Sequence, residues 1–255
     1  MSQSLTAVIL AAGHGTRMRS RTPKVMHRLC GRPMIDWVID AVTEAGATDI
    51  TVVANPHHAD VAAHLDGRVQ IVYQREPRGT ANAVQHVPEA QLTKGEVLVV
   101  NGDSPLLTAD TVRRVLKAHR DAGGPATLAS VEDSRRDDGR ILRATDGSFD
   151  RIVERKDATD EMRAAISEFN VGIYCFDGEK LVEALKLITN DNQAGEYYLT
   201  DVFQFVHPVT IVRLADPNEA MGVKDRVRLA VATGVMRRRI LDQLMLAGVT
   251  IVDPA

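Results

Sequence analysis

The sequence predicts an α/β fold organised on a doubly wound, mostly parallel sheet, and three observations carry that reading. Apolar runs of strand length recur through the first half of the chain, amphipathic helical patterns separate them, and polar or glycine-rich turns follow the runs. A β-α-β-α-β order makes neighbouring strands parallel and sets ligand chemistry at their carboxyl ends. With 44% hydrophobic and 25% charged residues over 255 positions, the chain can bury a substantial core.

The run 5–11 has Val8 and Ile9 at its centre and reads as a buried strand. Pro33 opens a helix whose Met34, Trp37, Val38, Ala41 and Val42 share one face, with Gly46 as its stop. Residues 50–54 form the next strand, 56–65 a short helix, and 69–73 a third strand that ends on Gln74. A helix from Gly79-Thr80 to about Gln91 precedes the strand 96–100, which runs into Asn101-Gly102-Asp103-Ser104-Pro105-Leu106. Thr108 then caps a helix that closes at Gly123-Gly124-Pro125. Beyond it, 126–131 reads as a strand, and 140–142 pairs with 149–153 around the turn dipeptide Asp146-Gly147. Residues 160–166 are expected helical, 169–176 a central strand, and 178–188 a helix. The longest helical stretch is 224–247, with Val227, Val231, Met236, Ile240, Leu241 and Leu244 as a loose apolar stripe. Gly234 weakens its middle by about 1 kcal/mol relative to alanine.

Chemistry gathers at the strand ends. After the first strand, Ala11-Ala12-Gly13-His14-Gly15-Thr16-Arg17 supplies small residues that let a ligand approach main-chain N–H groups. Arg17 adds a fork of donors for phosphate oxygens, and Lys24 a compact charge just after Pro23. A polyphosphate site is suggested. A dinucleotide fingerprint would need a third glycine where Met18 stands, and a Walker loop would need Gly-Lys-Ser or Gly-Lys-Thr. An ordinary tight turn with a surface arginine is the alternative. Asp103 suits either Mg²⁺ delivery to phosphates or an Asx turn. Gln74, both donor and acceptor, matches a pyrimidine edge or simply ends a strand. Glu154, Asn170 and Glu196, polar residues beside apolar stretches, suggest a sugar pocket; solvated charges or satisfied strand polar groups would also explain them.

Other classes are disfavoured. A formal net charge of -3 argues against a broad nucleic-acid surface. Cys30 and Cys175 make neither a disulfide framework nor a metal spacing, which points to a reduced, cytoplasmic setting. His57, His58 and His64 read as a solvated helix start. No run reaches transmembrane length and no secretory leader is visible, so no membrane association is expected.

Gly-x-Gly-Thr-Arg followed seven residues later by Lys24 resembles the signature of the sugar-1-phosphate nucleotidyltransferases. LAAGHGTRM, PKVMH, QREPRGTANA, NGDSPLL, IVERKDAT, FNVGIY and NQAGEYYLTD, in that order, cover essentially the whole chain. Together they resemble the uridyltransferase half of the bifunctional bacterial N-acetylglucosamine-1-phosphate uridyltransferase/glucosamine-1-phosphate acetyltransferase family. The resemblance implies a Rossmann-like sheet of the nucleotide-diphospho-sugar transferase type over residues 1–223. It also implies a linker helix, 224–255, that would lead to a β-helix domain absent from this sequence. Since the β-helix holds the family's trimers together, the isolated domain is expected to be a monomer or weak dimer.

The resemblance implies roles as well. Leu10, Ala11, Ala12, Gly13, Gly15 and Thr16 would hold the nucleotide, and Arg17 and Lys24 would neutralise its phosphates. Gln74, Gly79 and Thr80 would read uracil, Asn101 and Gly102 would line the site, and Asp103 would hold Mg²⁺. Gly139, Glu154, Asn170, Glu196 and Tyr198 would meet the sugar. The implied reaction joins UTP to N-acetylglucosamine 1-phosphate, giving UDP-N-acetylglucosamine and pyrophosphate. Four departures stand out. His14 replaces the family's usual Lys, and Asp137-Asp138-Gly139-Arg140 shifts the sugar loop by one residue. The stretch after Asp201 is shorter, and Lys224 occupies the position of an Asn that is the second protein ligand of Mg²⁺. A protonated lysine has no lone pair for a metal. A weakened or inactive nucleotide-sugar-binding domain, and a sister nucleotidyltransferase with another base or sugar, are therefore the alternative readings.

Overall fold

The strands assemble outward from β1 (Ser4–Ala11), whose apolar run is buried on both faces as a central parallel strand requires. The structure, a computed structural model, describes residues 4–133 and 138–254; Asp137 of the expected sugar loop lies outside them. A short hairpin, β2 (Arg28–Leu29) and β3 (Arg32–Pro33), leads into α1 (Met34–Glu44). Next come β4 (Asp49–Ala54), α2 (Ala59–Leu65), β5 (Gln70–Tyr73), α3 (Thr80–Gln85), α4 (Glu89–Leu92) and β6 (Gly95–Asn101). After α5 (Ala109–Ala122) follow β7 (Ala126–Glu132), β8 (Arg140–Arg143), β9 (Phe149–Val153) and α6 (Asp160–Ala165). The chain continues through β10 (Glu168–Asp177), α7 (Gly178–Leu185), β11 (Val209–Arg213) and α8 (Arg226–Leu246).

The main sheet runs β11-β7-β10-β6-β1-β4-β5, with the β8–β9 hairpin attached beside β10. Along that path the pairings are parallel except at β10, which is antiparallel to β6 and β7; β10 is also antiparallel to β8, and β8 to β9. That one reversal matters for the site. It brings the amino-terminal half of β10, with Asn170 and Gly172, to the end of the sheet where β1 and β6 present their carboxyl termini.

Side-chain alternation divides the core into two layers. Ala7 and Ile9 of β1, Val52 of β4 and Leu98 of β6 face α1, α2 and α5 through Ile35, Val42, Leu65 and Val112. Val8, Val53, Val97 and Val99 face the other way, toward Val84, Leu181, Leu185 and Phe203. A smaller third cluster joins Leu29, Met34, Leu106 and Val223 to Ala232 and Met236 of α8.

Three expectations need correction. The helix expected from residue 79 to about 91 divides into α3 and α4 at Pro88, whose ring and missing N–H interrupt the ladder. Around Asp201 the chain forms a six-residue 3₁₀ helix, Leu199–Gln204, and β11 follows, pairing parallel with β7, a stretch to which no element was assigned from sequence. On α8 the expected stripe holds only in part: Met236 and Ile240 face the third cluster, joined there by Leu229, Ala232 and Val235, while Val227, Val231 and Leu244 are exposed. His64 is also not at a helix start; it lies in the last turn of α2, bonded to the buried Asp36 at 2.8 Å.

Candidate active site

The phosphate-loop candidate begins where β1 stops. Gly15 takes φ +61°, and a Cβ there would stand 2.8 Å from the Cβ of Lys24, so only glycine lets the loop close over that lysine. A 3₁₀ turn, Thr16–Met18, then buries Met18 and leaves Arg17 exposed. Asn55, at the end of β4, donates to Ala12 O at 3.4 Å and braces the loop from its neighbour strand. Gly102 N donates to Leu10 O at 2.9 Å, which binds the turn carrying Asp103 to the same strand end.

A cavity of about 520 Å³ opens at these strand ends. On one side Gln74 is buried, and its Nε2 donates to Gly79 O and to Asn82 Oδ1, each at 3.0 Å. Both amide hydrogens are thereby committed, and Oε1 remains as the acceptor. The Thr80 hydroxyl accepts from Leu199 N at 2.9 Å, so it holds the wall together as well as lining it.

On the opposite side β10 breaks register between Asn170 and Tyr174. Gly172 sits in that bulge at φ +75°, with Asn101 Nδ2 only 2.2 Å from where its Cβ would be. Asn170 donates from Nδ2 to the Tyr174 hydroxyl at 2.6 Å and accepts from Gly172 N at 3.2 Å. Its own N–H donates to Gly139 O at 2.8 Å, tying the expected sugar loop to the sheet. Glu154 accepts from the Thr200 hydroxyl at 2.9 Å. Burial raises its pKa above the ordinary glutamate range; Asp201, Asp138 and Asp157 push the same way, and the Thr200 bond opposes them.

Two ion pairs occupy the same cavity wall. Lys24 donates to Asp103 Oδ2, and Lys224 to Asp138 Oδ1. As a resident Mg²⁺ site the expected donor set does not fit. Asp103 already carries the Lys24 ammonium, and the second expected position is another ammonium, which has no lone pair to give and repels a divalent ion.

The cavity therefore unites most of the expected residues: Leu10, Ala11, Ala12, Gly13, Lys24, Gln74, Gly79, Thr80, Asn101, Asp103, Gly139, Glu154, Asn170, Glu196 and Lys224. Gly15, Thr16, Arg17 and Gly102 stand behind or beside it without lining it. Tyr198 lies in an adjoining cavity of about 420 Å³ with Asp157, Asp191 and Asp201. Burial, with the carboxylates of Asp157, Glu154, Glu196 and Asp201, pushes its hydroxyl up to about 12. Sequence reasoning missed Asp138 as the partner of Lys224, Thr200 as the partner of Glu154, and Tyr174 as the brace of Asn170. Thr200 and Tyr174 lie within the quoted NQAGEYYLTD and FNVGIY motifs, so a signal was present for both; the Asp138–Lys224 pairing rests on packing alone.

A mostly parallel sheet, a glycine loop at its first strand end and a cavity mixing ammonium groups with amide acceptors define a nucleotide-handling α/β domain. The chain belongs to the MobA-like NTP transferase domain family, which matches residues 7–245. It is 45% identical over 257 residues to the bifunctional protein GlmU of Pelotomaculum thermopropionicum, covering 98% of this chain and 56% of that relative. The same-named proteins of Caldanaerobacter subterraneus and Listeria welshimeri are 42% and 43% identical, over 99% and 97% of the chain and 56% and 55% of their own lengths. The chain thus spans about half the length of the curated relatives it matches.

Proposed function

We propose that this domain transfers UMP from UTP to N-acetylglucosamine 1-phosphate, releasing pyrophosphate and forming UDP-N-acetylglucosamine. One observation carries the reading: a single cavity holds the base-side acceptor Gln74, the ammonium groups of Lys24 and Lys224, and the sugar-side Glu154 and Asn170. A phosphate oxygen of the sugar phosphate attacks the α-phosphorus in line; the new O–P bond forms as the bond to the β-phosphate oxygen breaks, and pyrophosphate leaves. The protein's work is to hold both substrates in register and neutralise charge, so no covalent nucleophile is required. Lys24 faces the phosphates once it exchanges Asp103 for a ligand oxygen, and Arg17 reaches them from the exposed turn. Magnesium enters in this reading with the triphosphate as part of the substrate.

Gln74 supplies base selection. Its remaining acceptor pairs with the N3–H of uracil, whereas cytosine presents a lone pair at that position and repels it. Gln74→Ala should lower the UTP-to-CTP turnover ratio about tenfold; an unchanged ratio counts against the assignment. The overall reading is tested by pyrophosphate release across nucleoside triphosphates and sugar 1-phosphates. Turnover confined to UTP with N-acetylglucosamine 1-phosphate is the expected result. A different preferred base or sugar would make the protein a sister nucleotidyltransferase. The ammonium at position 224 favours a second reading, a binding-only domain, which would retain UTP affinity without forming product.

A further inference from the structure

Lys224 is held too firmly in the cavity to be a bystander. Val223 is fully buried in the third cluster, and its N–H donates to Asp103 O at 2.8 Å. Asp225 caps α8 by accepting from Arg228 N at 2.8 Å, and Arg226 Nε donates to Met18 O at 3.0 Å. The segment is thus tied both to the Asp103 turn and to the turn carrying Arg17. From this anchored start the Lys224 side chain reaches Asp138 on the sugar-side loop. Its Cε and both carboxylate oxygens of Asp103 come within 4 Å of the point a Cβ on Gly222 would occupy, so they border one corner of the cavity.

We propose that Lys224 is a fixed counter-ion for the nucleotide phosphates, supplying with an ammonium the neutralisation a resident divalent ion would otherwise give, and that Asp138 holds it ready. The inference rests on the reading of this cavity as a nucleotide site. A triphosphate carries more negative charge than one carboxylate and draws the ammonium away from Asp138. The same ammonium coordinates no metal and repels a divalent ion placed beside Asp103. Nucleotide binding here consequently depends little on Mg²⁺.

Equilibrium binding of UTP, measured in Mg²⁺ and in excess EDTA, tests this. Wild-type affinity should change less than about threefold on chelation, while Lys224→Asn and Lys224→Gln each lose about tenfold or more in EDTA. Lys224→Arg, which keeps the charge, should retain binding in EDTA, and Asp138→Asn, which removes the competing carboxylate, should tighten it. Lys224→Asn should also reach half-maximal turnover at a lower Mg²⁺ concentration. Equal Mg²⁺ dependence in the wild type and both neutral variants overturns the proposal and leaves the uridyl-transfer reading standing. Failure of the wild type to bind any nucleoside triphosphate overturns both.

Discussion

Arg17 and Lys24 bear similar charges but stand in different surroundings, and their substitutions should separate accordingly. Arg17 is exposed and no carboxylate among the described residues pairs with it, so Arg17→Ala should change stability by less than about 0.5 kcal/mol. Lys24→Ala leaves the half-buried Asp103 without its ammonium and should cost about 1 kcal/mol. On the proposed assignment of both to the phosphates, each should lower turnover on the order of 10²-fold, with every sugar phosphate tried. Near-normal turnover in either variant, measured alongside its urea midpoint, removes that residue from the phosphate site. Glu154 makes a different kind of test. Its folded pKa is raised, so the folded protein keeps a proton that the unfolded chain has released; its contribution is most favourable below the ordinary glutamate range and is lost as pH rises through the raised value. Asp36 has the opposite sign. Burial works against its ionisation, but hydrogen bonds from His64 and Arg68 outweigh it, so its contribution is lost as pH falls through the lowered value. Glu154→Gln should flatten the decline in unfolding free energy above the ordinary glutamate range and raise the KM for sugar phosphate. A pH–stability curve that keeps its wild-type slope shows that Glu154 is not its source.

At the level of elements, α8 gives the clearest case of a pattern that periodicity misassigned. The expected stripe placed Met236 and Ile240 correctly but also chose Val227, Val231 and Leu244, which are exposed, and left out Leu229 and Ala232, through which the helix also docks. Arg237, Arg238 and Arg239 follow Met236 directly, and apolar residues lie on several sides of the helix, so no single face dominates the sequence. Met236→Ala should therefore cost about 2–3 kcal/mol, whereas Val231→Ala should stay within about 0.5 kcal/mol. The reverse order in chemical denaturation would make Val231 the docking residue instead of Met236. The parallel strands were legible for a physical reason: burial on both faces writes continuous apolar runs such as Val97-Leu98-Val99-Val100. Much of the cavity lining was legible too, because glycines, Gln74 and Asp103 are punctuation at the ends of those runs. The two-residue strands β2 and β3 are too short to show a period. The Asp138–Lys224 pair joins positions 86 apart, and only the folded chain brings them together.

For the molecule as a whole, the cavity works as a seam. It is bordered by the ends of β1, β5 and β6, the bulge of β10 and the segment leading into α8, so a ligand filling it would meet segments from Leu10 to Lys224. The exposed apolar residues Val227, Leu246 and Val252 are spread along the C-terminal stretch, and we expect a monomer or weak dimer; a stable trimer in light scattering at micromolar concentration would refute that. Occupying the seam should stabilise the fold as a unit, since a ligand that binds only the folded state shifts the unfolding equilibrium by mass action. At a UTP concentration about 100-fold above its Kd the gain is about 2.7 kcal/mol, or roughly 5–10 °C in Tm for a domain of this size. The shift must also be selective: CTP at equal concentration should give a smaller one, because Gln74 Oε1 faces a lone pair instead of an N–H. The Gln74→Ala protein should respond to the two nucleotides nearly alike. Equal shifts from UTP and CTP in the wild type would leave phosphate recognition in place and show that Gln74 does not read the base.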